Sequence, residues 1–357
     1  MGNKVKITTD DFAASCYFRS TVEPPHKKAL LKITDRCNLH CAHCFVSAGK
    51  DGAVMPFDDI REKVIPRLVD MNVISTTLTG GEPFAHPDIM KIIHELRAKD
   101  LSVSLCTNGT LISETQIEEL SELGGVKANV SLDGFRRESH GKFRGEPESF
   151  DKTVETVRTL AKHGILNGIL VTPNRLADPN EYSEICEFAI ANGAKYVLMN
   201  PLSSFGRGTK SQKSLESPDE VMKKVEENTR AYGDRVELVP IRFPNEKKPL
   251  SSCNAGNILY VFPNGDVSAC AYLSFAAEEQ VSQYSPKEFI IGNILTDDDV
   301  VSRVVNYSFK DYFKQGDNQK CKSCGLNSAC GKGCPAAVIG TGQKITEVDT
   351  KQCPIKD

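Results

Sequence analysis

The sequence predicts an α/β fold in which an open, partial (βα)6 TIM-like barrel is followed by a cysteine-rich domain. Short β-rich runs alternate with segments of helical periodicity from about residue 29 to 200, which indicates a parallel sheet with right-handed crossovers. A closed barrel of eight such units usually takes about 250 residues, so six units in this shorter stretch predict an open barrel. We expect an N-terminal extension over 1–28, the barrel over 29–235, and a linker with the cysteine-rich domain over 236–357.

Local patterns place six strands and six helices. The predicted strands are 29–34, 73–79, 101–106, 126–132, 168–172 and 195–200. The predicted helices are about 60–71, 87–96, 113–120, 149–163, 179–191 and 218–231. Pro66 predicts a kink or a break in the first helix, and Ser113 predicts an N-cap. Residues 203–218 are polar and rich in Gly, Ser and Lys, which predicts a surface loop or an internal boundary.

Charge and hydropathy exclude several classes of protein. The formal net charge of −3 provides no basic field that would attract nucleic acid or an anionic membrane. The apolar runs are too short for a transmembrane helix, and residues 1–6 lack the apolar stretch of a secretory signal. We therefore expect a cytoplasmic protein with neither nucleic acid nor a membrane among its partners.

The 13 cysteines are the unusual feature of the composition. Their number is odd and no secretion signal is present. In a reducing compartment, grouped cysteines are more often metal ligands or redox centres than disulfides. Ten of them form two groups, one near residue 40 and one in the last third of the chain. We interpret the three isolated ones, Cys16, Cys106 and Cys186, as small buried hydrophobic residues.

The loop thiol group, which consists of Cys37, Cys41 and Cys44, directly follows the first predicted strand. Three thiolates within eight residues can surround one metal centre, but a structural zinc ion usually takes four protein ligands. His40 or His43 could supply a fourth ligand for zinc. The spacing favours a 4Fe–4S cluster that three cysteines hold and that leaves one iron open for another ligand.

A second motif strengthens this interpretation. Gly80, Gly81, Glu82 and Pro83 follow the second predicted strand, 36 residues beyond the loop thiol group. Paired glycines allow the backbone to approach a ligand closely, and a carboxylate can hold an ammonium group. With its C-x3-C-x2-C spacing and His43 in the position of an aromatic residue, the chain resembles the radical S-adenosylmethionine (SAM) superfamily. The resemblance implies that a low-potential electron cleaves SAM to methionine and a 5′-deoxyadenosyl radical, which abstracts a substrate hydrogen atom.

The resemblance also implies a set of SAM-binding residues at the ends of the predicted strands. These residues are His43, Gly80, Gly81, Glu82, Asn108, Ser131 and Arg144. Glu82 would hold the methionyl ammonium, Ser131 a ribose or carboxylate oxygen, and Arg144 the SAM carboxylate. Each single residue could also be a turn former or a surface charge, and the pattern identifies no catalytic acid or base.

The second group of cysteines resembles the SPASM extension of that superfamily and implies two auxiliary 4Fe–4S clusters, which makes three clusters in all beside SAM. The implied ligands are Cys253, Cys270 and Cys334 for the first auxiliary cluster and Cys321, Cys324, Cys330 and Cys353 for the second. The fourth position of the first cluster is then open, or an unidentified residue fills it. The alternative is a zinc ribbon formed by Cys321, Cys324, Cys330 and Cys334.

A β-hairpin is predicted within this second domain. Residues 258–262 have the pattern of a strand, and Pro263, Asn264 and Gly265 that of a turn leading back towards Cys270. A domain of about 100 residues around such a hairpin has a thin apolar core. We therefore expect the clusters to supply much of its folding free energy.

The resemblance favours an enzyme that modifies a peptide or protein by oxidative crosslinking, epimerisation or a related change. A radical SAM enzyme acting on a small metabolite (a tetrapyrrole, carbohydrate or antibiotic precursor) is the alternative, and a non-enzymatic electron carrier is a further hypothesis. Ala271 follows Cys270 where sulfatase-maturing members carry Asp, which disfavours that role. Tyr272, Ser204 and Arg207 could lie near the pocket, although a structural role is favoured for each.

Two further proteins are expected as partners. A flavodoxin- or ferredoxin-type protein is the expected electron donor. Many peptide-modifying members begin with a leader-binding domain, and about 28 residues precede the first predicted strand here. We therefore expect a peptide substrate to bind without that module or through a separate leader-peptide-binding protein.

Overall fold

Strands and helices alternate along most of the chain. The computed structural model describes residues 4–6, 11–18, 20–245 and 247–355. The strands are β1 (Lys4–Lys6), β2 (Ser20–Val22), β3 (Lys27–Lys32), β4 (Val73–Thr79), β5 (Ser102–Thr107), β6 (Val126–Ser131), β7 (Leu166–Val171), β8 (Tyr196–Met199), β9 (Glu237–Pro240), β10 (Ile258–Val261), β11 (Asp266–Ser268) and β12 (Ile290–Asn293). The α-helices are α1 (Phe57–Asp59), α2 (Ile65–Asp70), α3 (Ile89–Ala98), α4 (Glu114–Leu123), α5 (Lys142–Arg144), α6 (Ser149–Lys162), α7 (Glu181–Ala191), α8 (Arg207–Leu215), α9 (Asp219–Arg230), α10 (Ala271–Glu278), α11 (Val300–Val305), α12 (Phe309–Tyr312), α13 (Gln319–Ser323) and α14 (Pro335–Ile339). Within the described ranges, none of these helices has both the length and the apolar composition that crossing a membrane requires.

One sheet of ten strands carries the fold. Eight of its strands run parallel in the order β10-β3-β4-β5-β6-β7-β8-β9, and β11 and β12 continue the sheet antiparallel beyond β10. The end strands, β12 and β9, do not pair with each other in the described part of the chain, so the barrel is open. The predicted α/β fold is confirmed, because β3 to β8 correspond to the six predicted strands.

Apolar side chains fill the space between the sheet and its flanking helices. Leu78 of β4 and Val130 of β6 are fully buried in one cluster with Ile92 of α3 and Val157 of α6. The helices are held at their ends as the sequence predicts, since Ser113 accepts a hydrogen bond from the third residue of α4 and caps it.

Polar side chains lie on the opposite face of the sheet, inside the barrel. The Nδ2 of Asn129 donates to Ser104 Oγ at 3.1 Å, and its Oδ1 accepts from the Tyr196 hydroxyl at 2.6 Å and from Asn167 Nδ2 at 2.8 Å. These contacts join four strands and satisfy polar groups that would otherwise be costly to bury. This part of the barrel interior, around Asn129, is therefore polar.

One local prediction is wrong and another is refined. Of the kink or break predicted at Pro66, a break does not occur, because a π-helical segment, Ile60–Val64, connects α1 directly to α2. A proline ring presses on the carbonyl four residues earlier, and the wider π turn accommodates it. The loop expected over residues 203–218 contains α8, whose buried residue is Gly208. Since this helix has no apolar stripe, periodicity could not reveal it.

The C-terminal region joins the barrel sheet. The predicted hairpin is present, since β10 and β11 pair antiparallel and β10 lies parallel beside β3. Its apolar core is larger than the thin core we predicted, because Tyr196 and Leu198 of the barrel pack in one cluster with Leu273 and Phe275 of α10. The domain boundaries stay predictions, although β9 and β10 both lie beyond residue 235 and pair with barrel strands.

Candidate functional site

The loop thiol group lies on the segment that follows β3, and several backbone hydrogen bonds fix this loop. The Cys37 amide donates to the Gly49 carbonyl at 2.7 Å. From α8, Arg207 donates its Nε to the Cys41 carbonyl at 2.8 Å and its Nη1 to the Ala48 carbonyl at 2.7 Å. Arg207 therefore has the structural role favoured from the sequence, as a clamp on the cysteine loop.

The three thiols of the loop thiol group pack together. Cys37 and Cys41 are buried in a small cluster with Leu39 and Ala48, and Cys44 packs against it. Burial raises the pKa of the Cys37 thiol and raises that of Cys41 to about 12. A bound metal reverses this effect, because a coordinating thiol is deprotonated. Three thiols packed together, two of them buried, are thus a suitable donor set for a metal centre.

The spacing of these sulfur atoms indicates which kind of centre fits. Tetrahedral zinc with Zn–S bonds of about 2.3 Å brings its sulfur ligands within about 4 Å of one another. Among the described residues, the three Sγ atoms do not form a set that lies mutually within 4.8 Å. His40, one of the two residues considered as a further zinc ligand, is exposed. This arrangement does not match a single tetrahedral zinc ion, and the iron–sulfur cluster stays the prediction for this group.

Gly80 and Gly81 bring the end of β4 against the cysteine loop. The Gly81 amide donates to the Thr34 carbonyl at 2.8 Å. A Cβ on Gly80 would lie 2.6 Å from the Thr34 carbonyl oxygen, and a Cβ on Gly81 would collide with the Arg36 carbonyl oxygen. Close packing against the neighbouring backbone therefore explains why both positions need glycine. Contact of these glycines with a ligand stays a prediction.

Glu82 is buried between the ends of β4 and β5. Its Oε1 accepts hydrogen bonds from the Thr107 hydroxyl at 2.6 Å and the Phe84 amide at 3.3 Å, and its Oε2 accepts one from the Asn108 amide at 2.7 Å. Burial nevertheless raises the pKa of this carboxyl to about 7. A cation placed beside it would favour the ionised form, so the site is poised to accept a positively charged group.

Asn108 and Ser131 occupy the ends of neighbouring strands. Asn108 Nδ2 donates to Asn38 Oδ1 at 3.0 Å and lies 4.0 Å from Cys37 Sγ, which joins the end of β5 to the cysteine loop. Ser131 ends β6 and is partly exposed. Both predicted residues are thus at the carboxyl edge of the sheet, where parallel α/β folds bind their ligands.

A buried charge cluster around Asp133 lies beside this edge. Arg144 Nε is 2.7 Å from Asp133 Oδ2, and His43 Nε2 is 3.9 Å from the same oxygen. Burial raises the pKa of Asp133, but Arg144, two neighbouring histidines and a backbone hydrogen bond together outweigh it and hold that pKa below its usual value. His43 stacks on Phe143 with ring centroids 4.3 Å apart, and burial lowers the pKa of His43 to about 4.

This cluster modifies what the sequence predicted for two residues. Arg144, predicted to contact the SAM carboxylate, pairs with Asp133, a residue whose role the sequence did not reveal. The Nδ1 atom of His43 is buried without a hydrogen-bond partner among the described residues. A buried polar atom without a partner is costly, so a bound molecule that offers a donor would stabilise this region.

Two more sets of thiols are formed by the cysteines of the C-terminal region, one of them together with Cys16 from the N-terminal segment. The inner thiol group consists of Cys16, Cys253, Cys270 and Cys334, which line one small cavity. The outer thiol group consists of Cys321, Cys324, Cys330 and Cys353. Burial raises the pKa of Cys353, and the nearby thiols of Cys321 and Cys330 raise it further. Because Cys334 lies in the cavity with Cys253 and Cys270, the structure favours the predicted cluster ligands over the zinc ribbon that would include Cys334.

Backbone amides donate to several of the sulfur atoms from two residues further along the chain. The donors are Leu39 to Cys37, Ala255 to Cys253, Leu326 to Cys324 and Lys332 to Cys330, each with N···S of 3.4 Å. Hydrogen bonds to cluster sulfurs tune the reduction potential. All three thiol groups share this arrangement, which suits iron–sulfur ligation.

Cys16 is the member of these groups that sequence reasoning missed. It lies more than 230 residues from Cys253, and it belongs to no local motif. In the structure it is buried in the same cavity as three predicted ligands. Spacing alone could not reveal it, because an isolated cysteine is more often a small core residue.

Comparison with known proteins agrees with this geometry. Residues 31–188 match the model of the radical SAM superfamily. AlbA of Bacillus subtilis, an antilisterial bacteriocin subtilosin biosynthesis protein, is 30% identical over 83% of this chain and 62% of its own length. The chain thus spans less than two thirds of that relative. The mycofactocin maturase MftC of Mycolicibacterium smegmatis is 28% identical over 89% of this chain and 80% of its own length.

A solved structure shows the same fold. SuiB of Streptococcus suis, bound to SAM, superposes with a TM-score of 0.70 at 18% identity, over 91% of this chain and 77% of SuiB. SuiB has also been solved with its precursor peptide SuiA. The family match covers β3 to α7, the part of the sheet that carries the loop thiol group and Glu82. Together these findings identify residues 31–188 as a radical SAM domain and show that the chain shares the fold of SuiB; the SPASM type of the C-terminal region stays a prediction.

Proposed function

We propose that the chain is a radical SAM enzyme that modifies a peptide or protein. The observation that carries the proposal is the meeting of the loop thiol group with Glu82 and Asn108 at the carboxyl ends of adjacent parallel strands. Ligands of open α/β sheets bind at this edge. The names of AlbA and MftC, and the complex of SuiB with its precursor peptide, support a peptide as the substrate class.

The donor groups fit three 4Fe–4S clusters and SAM. The loop thiol group would hold the cluster that binds SAM, and the inner and outer thiol groups would each hold one auxiliary cluster. The residues proposed to contact SAM are His43, Gly80, Gly81, Glu82, Asn108, Ser131 and Arg144. When bound, the first cluster and SAM supply reductive cleavage and hydrogen-atom abstraction, chemistry that side chains cannot perform by themselves.

The residues around this site would bind and orient the ligand. Thr107 and Asn108 hold the Glu82 carboxyl group in place by hydrogen bonds. The ionised carboxylate would bind the methionyl ammonium. Arg144 is held in place by Asp133 and would attract the SAM carboxylate. The burial of these groups excludes water, which protects a reactive species from side reactions.

Two partner proteins complete the proposal. A flavodoxin- or ferredoxin-type protein would supply the electron. A separate leader-peptide-binding protein would present the substrate if the chain does not bind the leader itself.

Anaerobic reconstitution tests the proposal directly. We expect the reduced protein to release 5′-deoxyadenosine from SAM and to change the mass or configuration of a peptide encoded beside its gene. Cys41→Ala should abolish both products, while Cys186→Ala, which alters a buried thiol outside the three groups, should retain both. If 5′-deoxyadenosine release depends on a small metabolite instead of a peptide, the substrate belongs to the metabolite class. A protein with intact clusters that never cleaves SAM would contradict it.

A further inference from the structure

The inner thiol group contains one cysteine more than the SPASM pattern implies. Its cavity is lined by Cys16 together with the three predicted ligands Cys253, Cys270 and Cys334. We propose that Cys16 is the fourth thiolate ligand of the iron–sulfur cluster at the inner thiol group, so that this cluster has no open iron for a substrate. The proposal rests on the proposed function in one respect, that the inner thiol group holds a cluster.

The sulfur of Cys16 is directed to its neighbours by side-chain contacts. Its Sγ lies 3.6 Å from the Ser252 carbonyl oxygen, next to Cys253 in the chain. Cys334 lines the same cavity as Cys16, and both side chains are buried. Cys16 therefore contacts the backbone beside one predicted ligand and shares a buried cavity with another.

A short stretch of parallel pairing holds the N-terminal segment in this position. Ala13 pairs with Leu250, its amide donating to the Pro249 carbonyl at 2.9 Å and its carbonyl accepting from the Ser251 amide at 3.1 Å. The hydroxyls of Ser15 and Ser251 are 2.9 Å apart. Residues 13–15 thus run beside 249–251, which brings Cys16 to the level of the residues that precede Cys253.

Arg242 fixes the same segment from the other side. Its amide donates to the Ala14 carbonyl at 2.7 Å and its Nη1 to the Ser15 carbonyl at 3.0 Å. The guanidinium is buried and is paired with Asp349 at 2.5 Å. The positive charge close to the inner thiol group suits a cluster that carries negative charge from its thiolates.

Two tyrosine side chains form one wall of the cavity that contains Cys16. Tyr17 stacks on Tyr272 with ring centroids 4.1 Å apart and an interplanar angle of 13°. Tyr272 is the second residue after Cys270, so this stack connects the chain on either side of two of the thiols. The other polar side chain of the lining, Asn254, donates to the Ser252 carbonyl. Of the groups that line the cavity, thiolate is the ligand that iron–sulfur clusters take.

Full ligation determines what the inner cluster can do. On binding iron, the Cys16 thiol exchanges its S–H bond for an S–Fe bond and releases the proton to solvent. With four thiolates in place, a substrate cannot coordinate an iron of this cluster. The inner cluster is then restricted to electron transfer and to holding residues 13–18 against the C-terminal region.

The test uses the full chain with its loop thiol group replaced, Cys37→Ala/Cys41→Ala/Cys44→Ala, so that only auxiliary clusters are reconstituted. We expect about eight iron atoms per chain and a reduced-state electron paramagnetic resonance (EPR) signal that added cyanide does not change. Adding Cys16→Ala should open one iron. Cyanide then shifts the signal, and mild ferricyanide oxidation lowers the iron content by about one atom per chain.

Controls separate ligation from packing. Cys186→Ala in the same background should behave like its parent. If Cys16→Ala fails to fold, Cys16→Ser carries the test, because an oxygen ligand should shift the EPR signal and the potential while retaining the iron. A cyanide response with Cys16 intact, or no change in either Cys16 variant, overturns the proposal. Absence of auxiliary iron in the parent overturns instead the auxiliary clusters of the proposed function.

Discussion

The loop thiol group and the inner thiol group differ in the number of their thiols and in the chemistry of their surroundings. The loop thiol group has three cysteines and lies beside the carboxylate of Glu82 and the amide of Asn108. The inner thiol group has four cysteines and is walled by tyrosine rings. Three thiols with polar neighbours are suited to a cluster that binds a ligand, and four thiols with an aromatic wall to one that carries electrons.

The two groups also share a feature. A buried arginine–aspartate pair lies near each of them, Arg144 with Asp133 by the loop thiol group and Arg242 with Asp349 by the inner thiol group. A fixed positive charge favours the more negative, reduced state of a cluster and so raises its potential. The difference in function therefore follows from the number of thiols and from the polar side chains, since both groups have a buried cation.

The largest difference between the groups should appear when each loses one cysteine. We expect Cys41→Ala to abolish 5′-deoxyadenosine release, because the cluster that binds SAM is lost. Cys270→Ala should retain that release and lose the modified peptide, because the proposed inner cluster would act after SAM cleavage. Chromatography of the two products measures both. Deoxyadenosine release by Cys41→Ala at the wild-type rate would break the comparison.

The next largest effect concerns the charge beside the inner thiol group. Arg242→Ala leaves Asp349 buried without its partner and removes the donor to Ser15, so it should cost about 3–5 kcal/mol of unfolding free energy. The matched control is Arg136→Ala, which breaks an exposed pair with Glu184 and should cost less than about 1 kcal/mol. Urea unfolding of the reconstituted proteins gives both values. Equal losses would show that the inner pair is not buried in solution.

Glu82, which lies beside the loop thiol group, should make the free energy of unfolding depend on pH. The folded pKa of Glu82, about 7, is above the ordinary carboxyl pKa of 4.5, so between these values the folded chain binds more protons than the unfolded chain. Stability should therefore fall as pH rises from 4.5 to 7, by about 3 kcal/mol in total for the metal-free chain. Glu82→Gln should remove this slope, as measured by urea unfolding across that range. The described lining of the inner cavity contains no carboxylate, so we expect no comparable slope from that group. An unchanged slope in Glu82→Gln would contradict the assignment of this pH dependence to Glu82.

The smallest effect extends the comparison to the outer thiol group. Asn318 Oδ1 accepts from the Cys321 amide at 2.8 Å, and its Nδ2 donates to the Cys321 sulfur at 3.5 Å. Asn318→Ala should cost about 1 kcal/mol through the lost helix cap and lower the potential of the outer cluster alone. Potentiometric titration measures this, with the exposed Asn306→Ala as control. A shift in the inner cluster instead would reverse the assignment of the two sites.

Local patterns in the sequence predicted the elements that carry the loop thiol group. The strand predicted over 73–79 is β4, and the Gly–Gly–Glu segment follows it as expected. These features depend on neighbouring residues, so periodicity and turn chemistry identify them. The pairing of β10 with β3 could not be predicted in this way, because it joins segments more than 200 residues apart.

The inner thiol group shows the same limit. Three of its members belong to a motif with regular spacing, whereas Cys16 reaches the cavity only through the pairing of residues 13–15 with 249–251. Arg144 illustrates a second limit, because its ion pair with Asp133 depends on burial. Contacts of that kind follow from the packed structure, and a sequence pattern does not contain them.

The response of the clusters to SAM tests the central claim most directly. After anaerobic reconstitution and reduction, EPR spectra are recorded with and without SAM. We predict that SAM shifts the signal of one cluster, and that the shift disappears in Cys37→Ala/Cys41→Ala/Cys44→Ala while the auxiliary signals persist. A shift that survives in this variant would show that SAM binds elsewhere and would contradict the account.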